Sequence, residues 1–203
     1  MDAIVLAGGR ATLLGGASKA CLIGPDGVSA LVRALGACWL AGAERLVAVG
    51  PPDDIRRALG GDDSELPAPL TVTQEQPPCC GPAYGIAAGL AAITGADDDL
   101  ILVLACDMPH ASAGVQTLVG AGLTGDGSVA TAHGHDQFML SLYRRSALAR
   151  ACDALPEPGV DARNASVAQM LGVLNLTRVP VPAASVDHLD SPEDLVRLRF
   201  TVG

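Results

Sequence analysis

The sequence predicts an α/β fold: three layers, with a doubly wound and mostly parallel sheet that takes in one antiparallel strand. Three observations carry this. Apolar runs of strand length alternate with segments of helical period through the first half of the chain. The runs are apolar at successive positions, as in strands covered on both faces. Hydrophobic residues make up 49% of the chain and aromatics only 2%, so the core is Ala, Val and Leu, the usual content of helices packed on a buried sheet.

The elements follow in order. "AIVLA" (3–7) is a strand and "ALVRALGACWLAGA" (30–43) a helix. "RLVAVG" (45–50) is a second strand, followed by a short helix at 53–60. "LTVTQE" (70–75) and the helix "AYGIAAGLAAIT" (83–94) lead to "DLILVLA" (99–105), whose unbroken apolarity puts it at the centre of the sheet. Beyond residue 110 come a helix at 115–123 and strands at 128–133 and 138–144. The gap "GHDQ" between those two strands is hairpin-sized and supplies the antiparallel strand. Short helices at 146–154 and 164–173, a strand at 177–182 and a closing helix at 192–200 complete the chain, with 153–163 as its most flexible loop.

A length of 203 residues fits one domain, 1–203. The net charge of −9 argues against a nucleic-acid backbone or an anionic membrane surface as partner. No stretch has the ~18 uninterrupted apolar residues of a spanning helix. Met1-Asp2 lacks the basic start of a signal peptide, and the first apolar run stops at Gly8. The six cysteines show no C-x-x-C spacing and read as free thiols in a reducing compartment, so a cytoplasmic protein is expected; a monomer or small homo-oligomer is expected beside this.

In an open parallel sheet, ligands sit beyond the carboxyl ends of the strands. Four features fall there. The first is the loop Gly8–Gly16 and the lysine after it. Glycines let backbone N–H groups approach an anion, and Lys19 is the only lysine among 13 cationic side chains. Where arginine serves everywhere else, the surviving lysine marks a place for a compact ammonium, although a plain Gly-rich turn with a surface lysine has the same letters. The loop is neither a Walker A motif nor G-x-G-x-x-G. The second is "QPPCCGPAYGIAAGL" (76–90), which either opens a helix N-terminus onto an anion or simply joins strand to helix rigidly. The third is Asp107, just past the most apolar strand, suited to Mg2+ or to capping a turn. The fourth is "DHLDSPEDL" (187–195): Ser191, Pro192 and Asp194 make a helix start, which leaves His188 and Asp190 on one side as further metal ligands and Asp187 facing away. His133, His135 and Asp136 in the hairpin read as a solvated turn rather than a metal site.

In this order and spacing, "LAGGRATLLGGASK", "CCGPAYGIAAGL", "CDMP" and "HLDSPEDL" resemble the motifs of nucleotidyltransferases related to the molybdenum cofactor guanylyltransferase (MobA-like), and "QFMLSLYR" (137–144) resembles a late strand of that family. The resemblance implies a Rossmann-like nucleotidyltransferase fold. It implies that GTP lies along Leu6, Ala7, Gly8 and Gly9, with Lys19 on its phosphates and Gln76, Gly81 and Pro82 completing the nucleotide site. Lys19, Arg10 and Asp107 would act in catalysis, and Asp107, His188 and Asp190 would hold Mg2+. The reaction implied is attack of the molybdopterin phosphate on the α-phosphorus of GTP, with release of pyrophosphate. The chain departs from the pattern at several positions. Leu13 replaces the loop arginine, with Arg10 as its substitute, and Leu14 replaces the following methionine. Ser18 and Gln76 each stand where an acid is common, and His188 replaces Asp or Asn. These departures leave CTP with cytidylyl transfer, a sugar-phosphate acceptor, or a non-catalytic nucleotide- or pterin-binding homologue as alternatives.

Overall fold

A computed structural model describes residues 1–11, 13, 15–60, 69–157 and 166–203. In chain order the strands are β1 Asp2–Leu6, β2 Arg10–Ala11, β3 Ala17–Ser18, β4 Leu22–Ile23, β5 Arg45–Val49, β6 Leu70–Thr73, β7 Leu100–Ala105, β8 Gly127–Ala132, β9 His135–Arg144, β10 Leu176–Pro180 and β11 Thr201–Val202. The α-helices are α1 Ala30–Leu40, α2 Pro52–Ala58, α3 Pro82–Ala91, α4 Ala111–Gly120, α5 Arg145–Asp153, α6 Val167–Leu171 and α7 Pro192–Leu198. Two 3-10 turns, Lys19–Cys21 and Ala183–Val186, sit beside the site. Among the described residues no helix is long and apolar enough to cross a membrane.

The central sheet has seven strands in the order β10-β8-β9-β7-β1-β5-β6. All neighbours are parallel except around β9, which runs antiparallel to both β7 and β8. Strand alternation separates the two faces. Ala3, Val5, Leu46, Ala48, Leu102 and Leu104 bury one face under α1, α2 and α4. Ile4, Val47, Val49, Ile101 and Val103 bury the other under α3, α5 and α6. This is the three-layer, doubly wound arrangement expected, with β9 as the antiparallel strand.

Several boundaries differ from those expected. Helices α1, α2 and α4 stop before Gly42, Gly60 and Gly122, all at positive φ (97°, 75° and 73°), a conformation that ends a helix and is open to glycine. Helix α4 begins at Ala111, four residues before its apolar periodicity shows. The β8–β9 turn is two residues, not four: His133 (φ 53°) and Gly134 (φ 78°) form the left-handed pair that suits a tight hairpin. Residues 164–165 of one expected helix, and 158–163 of the expected flexible loop, lie outside the described residues.

Two details aim the sheet at a ligand. Val129 pairs with Ser141 but Ala130 pairs with Gln137, so Phe138, Met139 and Leu140 bulge from the β8 edge at the sheet's carboxyl end. Ser141 Oγ donates to the Phe138 carbonyl at 2.8 Å and fixes this bulge. At the end of β5, Gly50 lies against the loop that leaves β1: a Cβ there would stand 2.8 Å from the Ala7 carbonyl carbon and 2.9 Å from the Gly8 nitrogen. Neither backbone has a free side chain to move aside. Gly50→Ala is therefore expected to lower stability by ~1–3 kcal/mol, the cost of overpacking, and to displace Gly8. Urea unfolding measures the first effect; native-like stability would show that the loop relaxes freely.

Candidate active site

Leu6, Val49, Thr73 and Ala105 all end at the same edge of the sheet, and there the chain leaves a cavity of about 460 Å3. Each wall comes from a different connection. Gly8 and Gly9 follow β1, Glu75 to Pro82 join β6 to α3, Cys106 and Asp107 follow β7, Met139 comes from the bulge of β9, and His188 precedes α7.

Backbone hydrogen bonds hold these walls together. Ala7 N–H donates to Val49 O at 2.7 Å and Cys106 N–H donates to Leu6 O at 3.0 Å, which fixes the ends of β1, β5 and β7 to one another. The short β2–β3 hairpin brings the chain back, and Lys19 N–H donates to Gly9 O at 3.2 Å. The Lys19 stem then lies along Gly9, where an added Cβ would meet its Cδ at 3.4 Å. Leu189 N–H donates to the Asp107 carbonyl at 3.0 Å, so His188 and Asp190 flank that aspartate. The capping box of α7 secures the same segment: Ser191 Oγ accepts from Asp194 N–H, and the Asp194 carboxylate accepts from the Ser191 N–H.

The centre of the cavity floor is an ion-pair cluster. Lys19 Nζ donates to Asp107 Oδ2 at 2.7 Å and also to Asp190 Oδ1. His188 Nδ1 stands 3.5 Å from Asp107 Oδ1, within reach of its charge but beyond a well-formed hydrogen bond. Oδ1 of this 9% exposed residue has no hydrogen-bond partner among the described residues. Burial opposes the charge on Lys19, but the Asp107 charge and both hydrogen bonds outweigh it, and the ammonium is held above its ordinary pKa. Burial likewise opposes ionisation of Asp107, yet His188 and Lys19 together keep its carboxyl below the usual range. His188 is raised by Asp107 in spite of its own burial.

Helix α3 opens onto the cavity with Gly81 as N-cap at φ 99° and Pro82 as first residue, and no side chain caps its leading N–H groups. Such an end favours an anion or a polar ligand group. Before it, the buried Glu75 lines the cavity, with Oε1 accepting from Cys79 N–H at 2.9 Å.

Of the residues singled out from the sequence, the structure brings Leu6, Gly8, Gly9, Lys19, Gly81, Pro82, Asp107 and His188 to the cavity lining, and Asp190 to Lys19. Ala7 is buried behind the wall, with its N–H spent on Val49. Gln76 is exposed and does not line the cavity; its neighbour Glu75 does. Arg10 sits in β2, its side chain outside what the structure describes, as is Leu14; Leu13 is 69% exposed. Asp136 pairs with Arg178 and serves the hairpin, and Asp187 turns away to Arg197. The sequence reading missed Glu75 and Met139. An acid directly before Gln-Pro-Pro was a usable signal for the first; the bulge that aims Met139 has none. The six cysteines are unpaired, and burial pushes the Cys106 thiol well up from its ordinary value.

Among the described residues, no three His, Cys, Asp or Glu side chains group so as to hold a metal ion by themselves. The donor set nonetheless suits a hard cation. Mg2+ typically takes one or two carboxylates and completes its shell with phosphates and water, and Asp107 keeps a buried oxygen with no donor among the described residues.

Comparison with known proteins agrees with the fold. The MobA-like NTP transferase domain matches residues 3–171, most of the chain. No curated protein matches by sequence. Among solved structures, a nucleotidyl transferase from Methanothermobacter thermautotrophicus (Mth528) superposes with a TM-score of 0.71 at 20% identity, covering 98% of this chain and 95% of that one. Rv0371c from Mycobacterium tuberculosis, solved as a manganese complex, gives 0.68 at 18% identity over 97% and 96%. The 4-diphosphocytidyl-2C-methyl-D-erythritol synthase of Anaerococcus prevotii gives 0.67 at 13% identity over 97% and 95%.

The His188–Asp107 contact has a testable pH signature. A histidine raised in the folded state contributes its full stability below the ordinary value of 6.5 and loses it as pH rises through the raised folded value. The melting temperature of the native chain is expected to fall across that window more than that of His188→Gln. Parallel melting curves for the two would show that the contact carries no linkage.

Proposed function

The chain belongs to the MobA-like NTP transferase domain family, and on that footing we propose that it transfers the guanylyl group of GTP to molybdopterin. One observation carries the reading: the sole lysine of the chain is bound to two carboxylates on the floor of a cavity framed by Gly8, Gly9 and the start of α3. A triphosphate needs backbone N–H donors, a compact cation and a place for a divalent metal, and those are what these elements offer.

In the reaction, an oxygen of the acceptor phosphate attacks the α-phosphorus of GTP. The new P–O bond forms as the bond to the β-phosphate bridge breaks, and pyrophosphate leaves with the electron pair. The chain contributes mainly position and charge. Gly8 and Gly9 let the phosphates lie close to the backbone, and Lys19 meets the negative charge on them. The start of α3 orients the nucleoside side. Asp107 and Asp190 would hold Mg2+, which supplies charge neutralisation at the phosphates.

Glu75 supports GTP over CTP. A carboxylate presents acceptors only, and the guanine edge offers two adjacent donors, the ring N–H and the exocyclic amine, where cytosine offers one amine beside an acceptor.

Three measurements test the reading. Pyrophosphate release from GTP should require both Mg2+ and molybdopterin, with CTP turned over far more slowly. A preference for CTP would move the chain to cytidylyl transfer. Binding of GTP without turnover would make it a nucleotide-binding homologue in which Leu13 has cost the activity. Lys19→Ala is expected to weaken GTP binding by ~1–3 kcal/mol in a calorimetric titration, as for a lost charged hydrogen bond. Glu75→Gln keeps an acceptor for Cys79 but swaps the other for a donor, so it should narrow the gap between GTP and CTP affinity. An unchanged gap would remove Glu75 from base recognition.

A further inference from the structure

We propose that Lys19 is an internal stand-in for the divalent cation. Its ammonium holds the place between Asp107 and Asp190, and the chain takes up the metal only together with a triphosphate that draws Lys19 away. The inference rests on the reading of this cavity as an NTP transferase site.

The geometry is direct. Lys19 Nζ donates to Asp107 Oδ2 and to Asp190 Oδ1 at once, so the two acids best placed to bind a cation are bridged by a cation already. They arrive from distant parts of the chain, one past β7 and one before α7, and backbone hydrogen bonds hold the two segments together. Leu189 N–H is bonded to the Asp107 carbonyl, and the Asp194 carboxylate accepts from the N–H groups of Asp190 and Ser191. Two fixed carboxylates with no cation between them would repel each other. Lys19 removes that repulsion in the free protein. A metal entering alone must break two charged hydrogen bonds and strand an ammonium that is only 15% exposed.

A nucleotide changes the balance. The Lys19 stem already lies along Gly9, in the loop where the phosphates would sit, so its head group passes from carboxylates to phosphates by rotation about its terminal bonds. The same phosphates bring oxygens to complete the metal's shell, while Asp107 contributes a buried oxygen that has no hydrogen-bond partner among the described residues. Metal and nucleotide therefore raise each other's affinity, and by linkage they do so equally.

The test is a Mn2+ titration of the nucleotide-free full-length chain, followed by electron paramagnetic resonance. Lys19→Met is expected to bind Mn2+ at least ten-fold tighter than the native chain. Lys19→Arg, which keeps a cation between the acids, should stay as weak as native. Adding Asp190→Asn to Lys19→Met should remove most of the gain. Equal Mn2+ affinity in Lys19→Met and native protein overturns the proposal. If Lys19→Met does not fold, the native chain still decides: with one lysine in the sequence, [ζ-15N]lysine labelling gives a single ammonium resonance. That resonance should hold still on addition of Mg2+ alone and shift when Mg2+ and GTP are added together. A shift with Mg2+ alone at the same concentration overturns the proposal. Pyrophosphate release by the native chain separates the two readings. A gain in Mn2+ affinity in a chain with no transferase activity would remove the transferase reading and leave Lys19 in the cation's place. No gain in an active chain would remove this inference alone.

Discussion

Everything at the site depends on β1 being hydrogen-bonded along both edges, to β5 on one side and β7 on the other. A strand in that position has no freedom to slide, because a shift of one residue would turn Ile4 and Val5 to the wrong faces. The point at which β1 ends is therefore fixed, and so are the places of Gly8 and Gly9. The remaining walls are set by what β1 touches. Asp107 follows β7, Gly50 closes against Ala7, and α3 packs so closely that a Cβ on Gly89 would stand 2.6 Å from the Ile4 side chain. With almost no aromatic residues available, close approach of helix to sheet takes the place of large core side chains.

Much of the fold was legible in the sequence because burial on both faces writes itself as unbroken apolar runs. The strands around 3–7, 45–50 and 99–105 are of this kind, and they lie side by side inside the sheet, with β7 at its centre. Legibility fell where local chemistry outweighs periodicity. The ends of α1, α2 and α4 are decided by single glycines at positive φ. The two-residue hairpin turn needs His133 in a left-handed conformation that no apolar pattern signals. The small pairings of β2 with β3 and β4 with β11 are two residues each, too short for any period to show.

The site was legible in a different way. Lys19 stood out by its rarity, Asp107 by its place after the most apolar strand, and the helix start at Ser191 by its capping letters. Each signal is local. What no local signal holds is that the three meet: Lys19 and Asp190 are separated by 171 positions. Nor does the sequence alone show that Glu75 rather than Gln76 reaches the cavity, since the turn after β6 decides which of two neighbouring polar side chains is buried. Leu13, where the resembled pattern has an arginine, is 69% exposed.

The segment that carries Asp190 is built unlike the rest. Helix α7 has no fully buried residue of its own and is held by its capping box, by the ion pairs of Arg197 with Asp187 and Asp194, and by the half-buried Leu195 and Leu198. Leu189 and Phe200 pack with Leu22 and Ala30 in a small cluster apart from the two large ones on the sheet. The family match ends at residue 171, before this segment begins. A unit held by caps and a miniature core opens more cheaply than the sheet does. Amide exchange is therefore expected to run faster through this segment than through the strands that carry Asp107, with the Leu189 N–H, bonded to the Asp107 carbonyl, as its slowest point.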